Sequence, residues 1–132
     1  MAGKVENLGG VFIYANDAQK LAVWYQDHLG LIHETWGDSG VYYISFPYTD
    51  TQNESRYFAW SIMPAKDRLP VKTPKIFTIN LRVSNLVDLV NSLIEKGVAV
   101  KPIEVHDEGK FAWCEDLEGN HIELWEDVAR NK

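Results

Sequence analysis

Apolar and polar positions alternate in two short registers along this chain, and the two halves carry them in the same order. Gly9-Gly-Val-Phe-Ile-Tyr-Ala15 is an apolar run of strand length. Asn16 and Asp17 follow as helix N-caps, and Gln19, three residues after Asn16, suggests a capping box. Leu21, Trp24, Tyr25, His28 and Leu29 recur at helical spacing, and Gly30 is a helix stop. Extended segments are predicted at roughly 31–36, 40–46 and 57–63. The polar stretch Tyr48–Ser55 predicts a mobile loop between the last two, either covering a site or idle.

The second half repeats the order. Ile76–Val83 predicts a strand, Ser84 and Asn85 offer caps, and Leu86, Leu89, Val90, Leu93 and Ile94 form an apolar helical stripe ended by Gly97. Strands are predicted at roughly 98–105, 110–115 and 120–126. Asp17 and Asn85 lie 68 residues apart, and Gly30 and Gly97 lie 67 apart. This self-similarity predicts an α+β fold of two βαβββ modules, about 7–63 and 76–126. Pro64, Pro70 and Pro74 mark the linker between them, about 64–75.

The length of 132 residues suits one domain. The net charge of −6 argues against nucleic-acid and anionic-membrane partners and mildly favours a cationic or neutral ligand. No apolar run is long enough to span a bilayer, and Met1–Glu6 lacks a signal-peptide core. The single cysteine, Cys114, excludes an internal disulfide and fits a reducing compartment, so a cytoplasmic location is expected. Cys114 itself reads as packing, and Trp24 and Tyr25 as core. His28 and His33 read as structural or solvated.

The tail, Phe111–Glu126, is two alternating runs around an acidic, Gly-containing turn, the pattern of a β-hairpin. Its second run places His121, Glu123 and Trp125 on one face. A carboxylate and an imidazole on such a face need a partner or a task.

The paired modules, the tail Asp116-Leu-Glu-Gly-Asn-His-Ile-Glu-Leu-Trp-Glu126 and the Asp17…Trp24-Tyr25…Leu29-Gly30-Leu31 run resemble the vicinal oxygen chelate superfamily. That group includes glyoxalase I, bleomycin-resistance proteins and extradiol dioxygenases. Relatives usually have proline where Leu117 stands. The resemblance implies eight strands in a partly closed, barrel-like cleft, and commonly a homodimer. In metal-dependent members, ligands stand on the first and last strands of each module. Carried over, those positions fall on Gly10, on Phe58 or Ala59 depending on register, on Thr78 and on Glu123. Only Glu123 is a usable donor, so no metal or other cofactor is expected. The alternative is a divalent metal held by an atypical set in which His121, His106 or a partner chain contributes.

Strand parity then nominates the cleft lining: Gly10, Phe12 and Tyr14; Thr78, Asn80 and Arg82; His121, Glu123 and Trp125; with Trp60 completing the wall. Gly10 would leave empty volume. Tyr14 and Asn80 are candidates to hydrogen-bond a ligand oxygen, against core satisfaction. Arg82 either clamps an anionic ligand group or pairs internally with Glu123. Glu123 is either that partner or a general base, and His121 is a weaker acid–base candidate. Three functions follow: a metal-free small-molecule binder of the bleomycin-resistance type, taking an aromatic or cationic compound; a metal-dependent lyase, isomerase or dioxygenase; and a metal-free enzyme with Glu123 as base.

Overall fold

The computed structural model describes residues 3–4, 6–65 and 77–128. The predicted linker lies outside them beyond Ala65. The elements are β1 (Gly10–Ala15), α1 (Ala18–Leu29), β2 (Glu34–Thr35), β3 (Tyr42–Thr49), β4 (Ser55–Pro64), β5 (Thr78–Arg82), α2 (Leu86–Glu95), β6 (Glu104–His106), β7 (Gly109–Glu115) and β8 (His121–Asp127). They form two four-stranded sheets, β1-β4-β3-β2 and β5-β8-β7-β6. In each, the first strand pairs parallel to the last and the remaining pairs are antiparallel. The doubled βαβββ order read from the sequence is thus the order observed. The sheets are open: among the described residues no strand of one pairs with a strand of the other.

The chain divides into two compact units. The first holds residues up to Val23 and from Leu31 through β4; the second holds Trp24–Gly30 and the C-terminal half. The first sheet buries Ile13, Ala15, Trp60 and Ile62 on one face. The second buries Ile79, Ala112, Cys114, Ile122 and Leu124. Leu86, Val90 and Leu93 of α2 are buried, and α2 contacts β7 and β8, so the stripe at helical spacing meets this strand face. Each fully buried Leu or Ile contributes about 2 kcal/mol from removal of apolar surface from water.

The helix starts differ from the sequence expectation. Asp17 caps α1: its Oδ1 accepts the Lys20 backbone N–H at 3.0 Å. Counted from Asp17, Lys20 stands where a capping box needs Glu or Gln, so the Asn16–Gln19 box is out of step by one residue. At α2, Asn85 holds the N-cap place in a left-handed conformation (φ 53°) with no side-chain cap bond. The Leu86 N–H donates instead to Glu126 Oε1 at 2.7 Å. A carboxylate from β8 therefore serves the helix N-terminus, where the dipole favours negative charge.

The stretch predicted as a mobile loop is a tight turn. Asp50 Oδ1 accepts the N–H groups of Gln52 and Glu54, both at 2.9 Å. Asp50 N donates to Glu54 O at 3.0 Å, and Asn53 N to Asp50 O at 3.0 Å. Arg56 Nε grips Asp50 Oδ2 at 3.0 Å. The Glu54 N–H and Arg56 together hold the Asp50 carboxyl below the usual carboxylate range. The loop was misread because an Asp side chain that bonds its own following amides closes a turn within polar sequence.

The same device recurs 66 residues later. Asp116 Oδ1 accepts Glu118 N and Asn120 N, both at 2.9 Å. Asp116 N donates to Asn120 O, and Gly119 N to Asp116 O. Asn53 and Gly119 take the same positive-φ place (63° and 85°). Asp116 is buried, however, and its Oδ2 also accepts the Tyr25 hydroxyl at 2.7 Å and Asn120 Nδ2 at 2.8 Å. Burial, and then the adjacent Asp116, keep Tyr25 a protonated phenol.

The two modules differ in hairpin length. Gly10 pairs with Ala59, whereas Thr78 pairs with His121, although both turns share one geometry. The β3–β4 hairpin is thus four residues longer on each strand than β7–β8. The predicted strands at 31–36 and 98–105 shrink to Glu34–Thr35 and Glu104–His106.

Trp60 Nε1 donates to His33 Nε2 at 2.9 Å. Indole is only a donor, so that nitrogen carries no proton, and the ring proton is on Nδ1, 3.1 Å from Leu31 O. Burial lowers the His33 pKa from 6.5, outweighing the Leu31 carbonyl. A depressed native value favours the neutral ring. Its stabilising effect is complete above the unfolded pKa of 6.5 and lost as pH falls through the native midpoint. We expect denaturation melts of the wild type to weaken across that window relative to His33→Gln, and the His33 ring resonances to titrate below 6.5. A second prediction concerns the buried turn: Asp116→Ala should cost about 3 kcal/mol in urea unfolding, because it strands a buried phenol and two amides. Asp50→Ala, at the exposed counterpart, should cost less.

Candidate functional site

Register assigns each predicted lining residue to a face. In the first sheet, Phe12 and Tyr14 share a face with Ser61 and Met63 of β4 and Tyr43 of β3. Phe12 is 57% exposed on it. Trp60 is a correction: it pairs with Val11 and Ile44, on the face of Ile13 and Ile62, and is 5% exposed. It belongs to the core of unit one and not to the face of Phe12.

Gly10 is a second correction. A Cβ there would collide with the backbone carbonyl of Ala59. The glycine permits close approach of two strands and leaves no empty volume for a ligand. A third correction concerns the last strand of module one. Thr78–Asn80 face His121–Glu123, and Gly10–Phe12 face Ala59–Ser61. The counterpart of Glu123 is therefore Ser61, a buried hydroxyl, and neither Phe58 nor Ala59.

The open face of the second sheet lies opposite the buried residues that α2 covers. It carries Thr78, Asn80 and Arg82 of β5, His121, Glu123 and Trp125 of β8, and Phe111, Trp113 and Glu115 of β7. All six residues predicted in this module are therefore on one face. Glu123 is its centre. Asn80 Nδ2 donates to Glu123 Oε2 at 2.7 Å, and Trp113 Nε1 donates to Oε1 at 3.0 Å. Each carboxylate oxygen is held by one neutral N–H, which fixes the orientation of the group and leaves lone pairs toward the open side. Phe111 lies between two indoles: its ring is 6.3 Å from Trp113 at 14° and 6.3 Å from Trp125 at 6°. Trp125 Nε1 is anchored on Glu108 O at 2.9 Å. Gly109 permits that turn, since a Cβ there would strike Glu126 O.

Arg82 does not pair with Glu123; the ion pairs among the described residues are Arg56–Asp50 and His106–Glu104. Asn80 and Trp113 occupy the carboxylate, and Arg82 stands beside Trp125 in the register and is exposed. Thr78 and His121 pair with one another at the exposed end of the face. Cys114 points to the buried side, and burial, with Asp116 and Glu115, pushes its thiol up to about 11, which removes it as a nucleophile.

The donor set does not fit the metal that the resemblance implies. Of the four ligand positions, Gly10 has no side chain, Ser61 and Thr78 offer hydroxyls, and only Glu123 offers a charged donor. Among the described residues no three His, Cys, Asp or Glu side chains are grouped to hold an ion. His106, a suggested substitute, is engaged with Glu104 at 2.9 Å.

A groove of about 900 Å3 lies elsewhere, in unit one, between Lys4 and Glu6–Gly9 on one side and the tip of the long hairpin, Tyr48–Gln52 and Ser55–Tyr57, on the other. None of the predicted residues lines it. Its wall is polar, and its fixed carboxylate, Asp50, is already paired with Arg56. Trp113 and Phe111 are the site residues that the sequence reading missed. The signal was available: a turn spanning Asp116–Asn120 pairs Glu115 with His121, and counting back puts Trp113 opposite Glu123.

No family model and no curated protein matches the sequence. Solved structures do match. TnmS3, an antibiotic binding protein from Streptomyces sp. CB03234, is 17% identical with a TM-score of 0.68, over 96% of this chain and 100% of its own. A possible glyoxalase from Bacillus cereus is 18% identical with a TM-score of 0.64, over 92% and 99%. The oxidase ChaP-H2 is 15% identical with a TM-score of 0.65, over 95% and 96%. The resemblance to the vicinal oxygen chelate superfamily therefore holds as a likeness of fold, spanning nearly the whole chain.

Gly10→Gln, which writes a potential donor back into β1, should lower stability by about 2 kcal/mol through strand separation and confer no cation-dependent rise in melting temperature.

Proposed function

We propose that this chain is a small-molecule binding protein whose ligand lies on the open face of the second sheet. The observation that carries the reading is the Glu123 carboxylate, fixed by Asn80 and Trp113 beside three near-parallel aromatic rings. Apolar faces with a few oriented polar groups are how small-ligand sites are built. A relative in fold, TnmS3, is described as an antibiotic binding protein. Thr78, Arg82 and His121 form the exposed rim. Binding needs no divalent ion, because three of the four ligand positions lack a charged donor. The chain acts in the cytoplasm as a homodimer; exposed apolar residues such as Trp36 and Ile32 (both 69%) agree with a partner surface. No described helix is long and apolar enough to cross a membrane.

A second reading is an enzyme. The same fixed carboxylate would serve as a general base, and other relatives in fold are described as oxidases or a possible glyoxalase.

Tryptophan fluorescence during titration with a panel of planar aromatic compounds tests the first reading. Trp113→Ala should weaken any hit about tenfold, since it removes both a ring and a Glu123 donor. Absence of quenching by every compound would count against the proposal. Thermal shift with Mn2+, Ni2+, Zn2+ and Fe2+ should give no rise; a cation at a hundred times its Kd would add about 2.7 kcal/mol. A rise abolished by Glu123→Gln would restore the metal-dependent alternative. Turnover lost in Glu123→Gln while affinity persists would favour the enzyme.

A further inference from the structure

The geometry points to the charge of the ligand: we infer that the second sheet's open face takes a planar aromatic compound bearing a positive charge, with Glu123 as its counter-ion. This rests on the ligand-binding reading above and adds the ligand's chemical class.

Among the described residues Glu123 has two hydrogen-bond donors and no cationic partner. Both donors, the Asn80 amide and the Trp113 indole, are neutral, so they orient the carboxylate without cancelling its charge. Among the described residues no Lys, Arg or His forms an ion pair with it. Arg82 shares the face but is set two residues along β5 from Asn80, next to Trp125. Glu115 stands on this same face by register, so the Glu115 and Glu123 carboxylates share it with one guanidinium among the described residues. The whole chain adds a net charge of −6 to that field. A half-buried carboxylate left in this state is stabilised by any cation that reaches it.

The aromatic rings add shape. Phe111, Trp113 and Trp125 have nearly parallel planes, so a flat ring system that lies along one is aligned with all three. Indole faces attract cations through the ring quadrupole. A flat cation would gain stacking, cation–π attraction and a charge partner together. A flat neutral compound would gain stacking alone. A flat anion would meet like charge.

Three acridines of one shape separate these cases at pH 8: 9-aminoacridine as cation, acridine as neutral compound and acridine-9-carboxylate as anion. Calorimetric titration of the purified protein should show the amine binding at least about tenfold more tightly than acridine, and the carboxylate binding most weakly. Glu123→Gln, isosteric and able to keep one hydrogen bond, should shrink the ratio of the amine's affinity to acridine's to about threefold or less. In the wild type, raising salt from about 50 to about 500 mM should weaken the amine more than acridine. That comparison holds even if the variant folds poorly. Equal binding of all three, or an advantage that survives in Glu123→Gln, overturns the inference. If acridine affinity still falls in Trp113→Ala, the binding surface stands without it. No binding by any of the three overturns the inference as well, and the broader aromatic panel then decides whether the surface binds anything.

Discussion

The carboxylate of Asp116 is the constraint on which the second unit depends. It closes the turn between β7 and β8 by accepting two backbone amides, and it holds the Tyr25 phenol, 91 residues earlier in the chain. A hairpin takes its register from its turn. With Asp116–Asn120 closed in this way, Glu115 meets His121, Trp113 meets Glu123 and Phe111 meets Trp125. A slip of one residue would turn Ile122 and Leu124 outward and carry Glu123 into the α2 face. A buried polar group thus determines both which residues form the core and which face the open side.

The open face follows from that register. Its central carboxylate is surrounded by donors of no charge, and its rings are held in near-parallel planes. The metal-dependent chemistry of the superfamily needs several charged or imidazole donors. Here one such position is a glycine that two strands press against, and two are hydroxyl side chains. A likeness of fold does not carry that donor set with it, and chemistry must be argued from the side chains present.

Much of this was legible in the sequence because it rests on periodicity. The two modules, both helices, both glycine stops and the shared face of His121, Glu123 and Trp125 follow from spacings of two and of three to four. What the sequence did not disclose depends on contacts between distant segments. Glu126 caps α2 from 40 residues away, so local cap rules pointed to Ser84 and Asn85 instead. Trp60 looks like a cleft aromatic by type and is core by parity. Gly10 looks like a vacancy and is a point of close strand contact. The Asp50 turn went unread because its cue is one side-chain acceptor among polar residues, whereas the Asp116 turn was visible through its glycine. Ser61 was missed because the longer hairpin displaces β4 against β1, which no count from the helix caps can show.

That displacement has a consequence for how duplicated halves can diverge. Side chains on a strand change sides at every step, so lengthening one arm by an odd number inverts every position beyond the addition. The first module's arm is longer than the second's by four on each side of a turn of the same geometry. A difference in matched, even steps lets one arm reach farther while each equivalent position keeps its orientation. The four residues of Phe46–Thr49 and of Ser55–Phe58 are therefore open to change independently of the sheet that bears them.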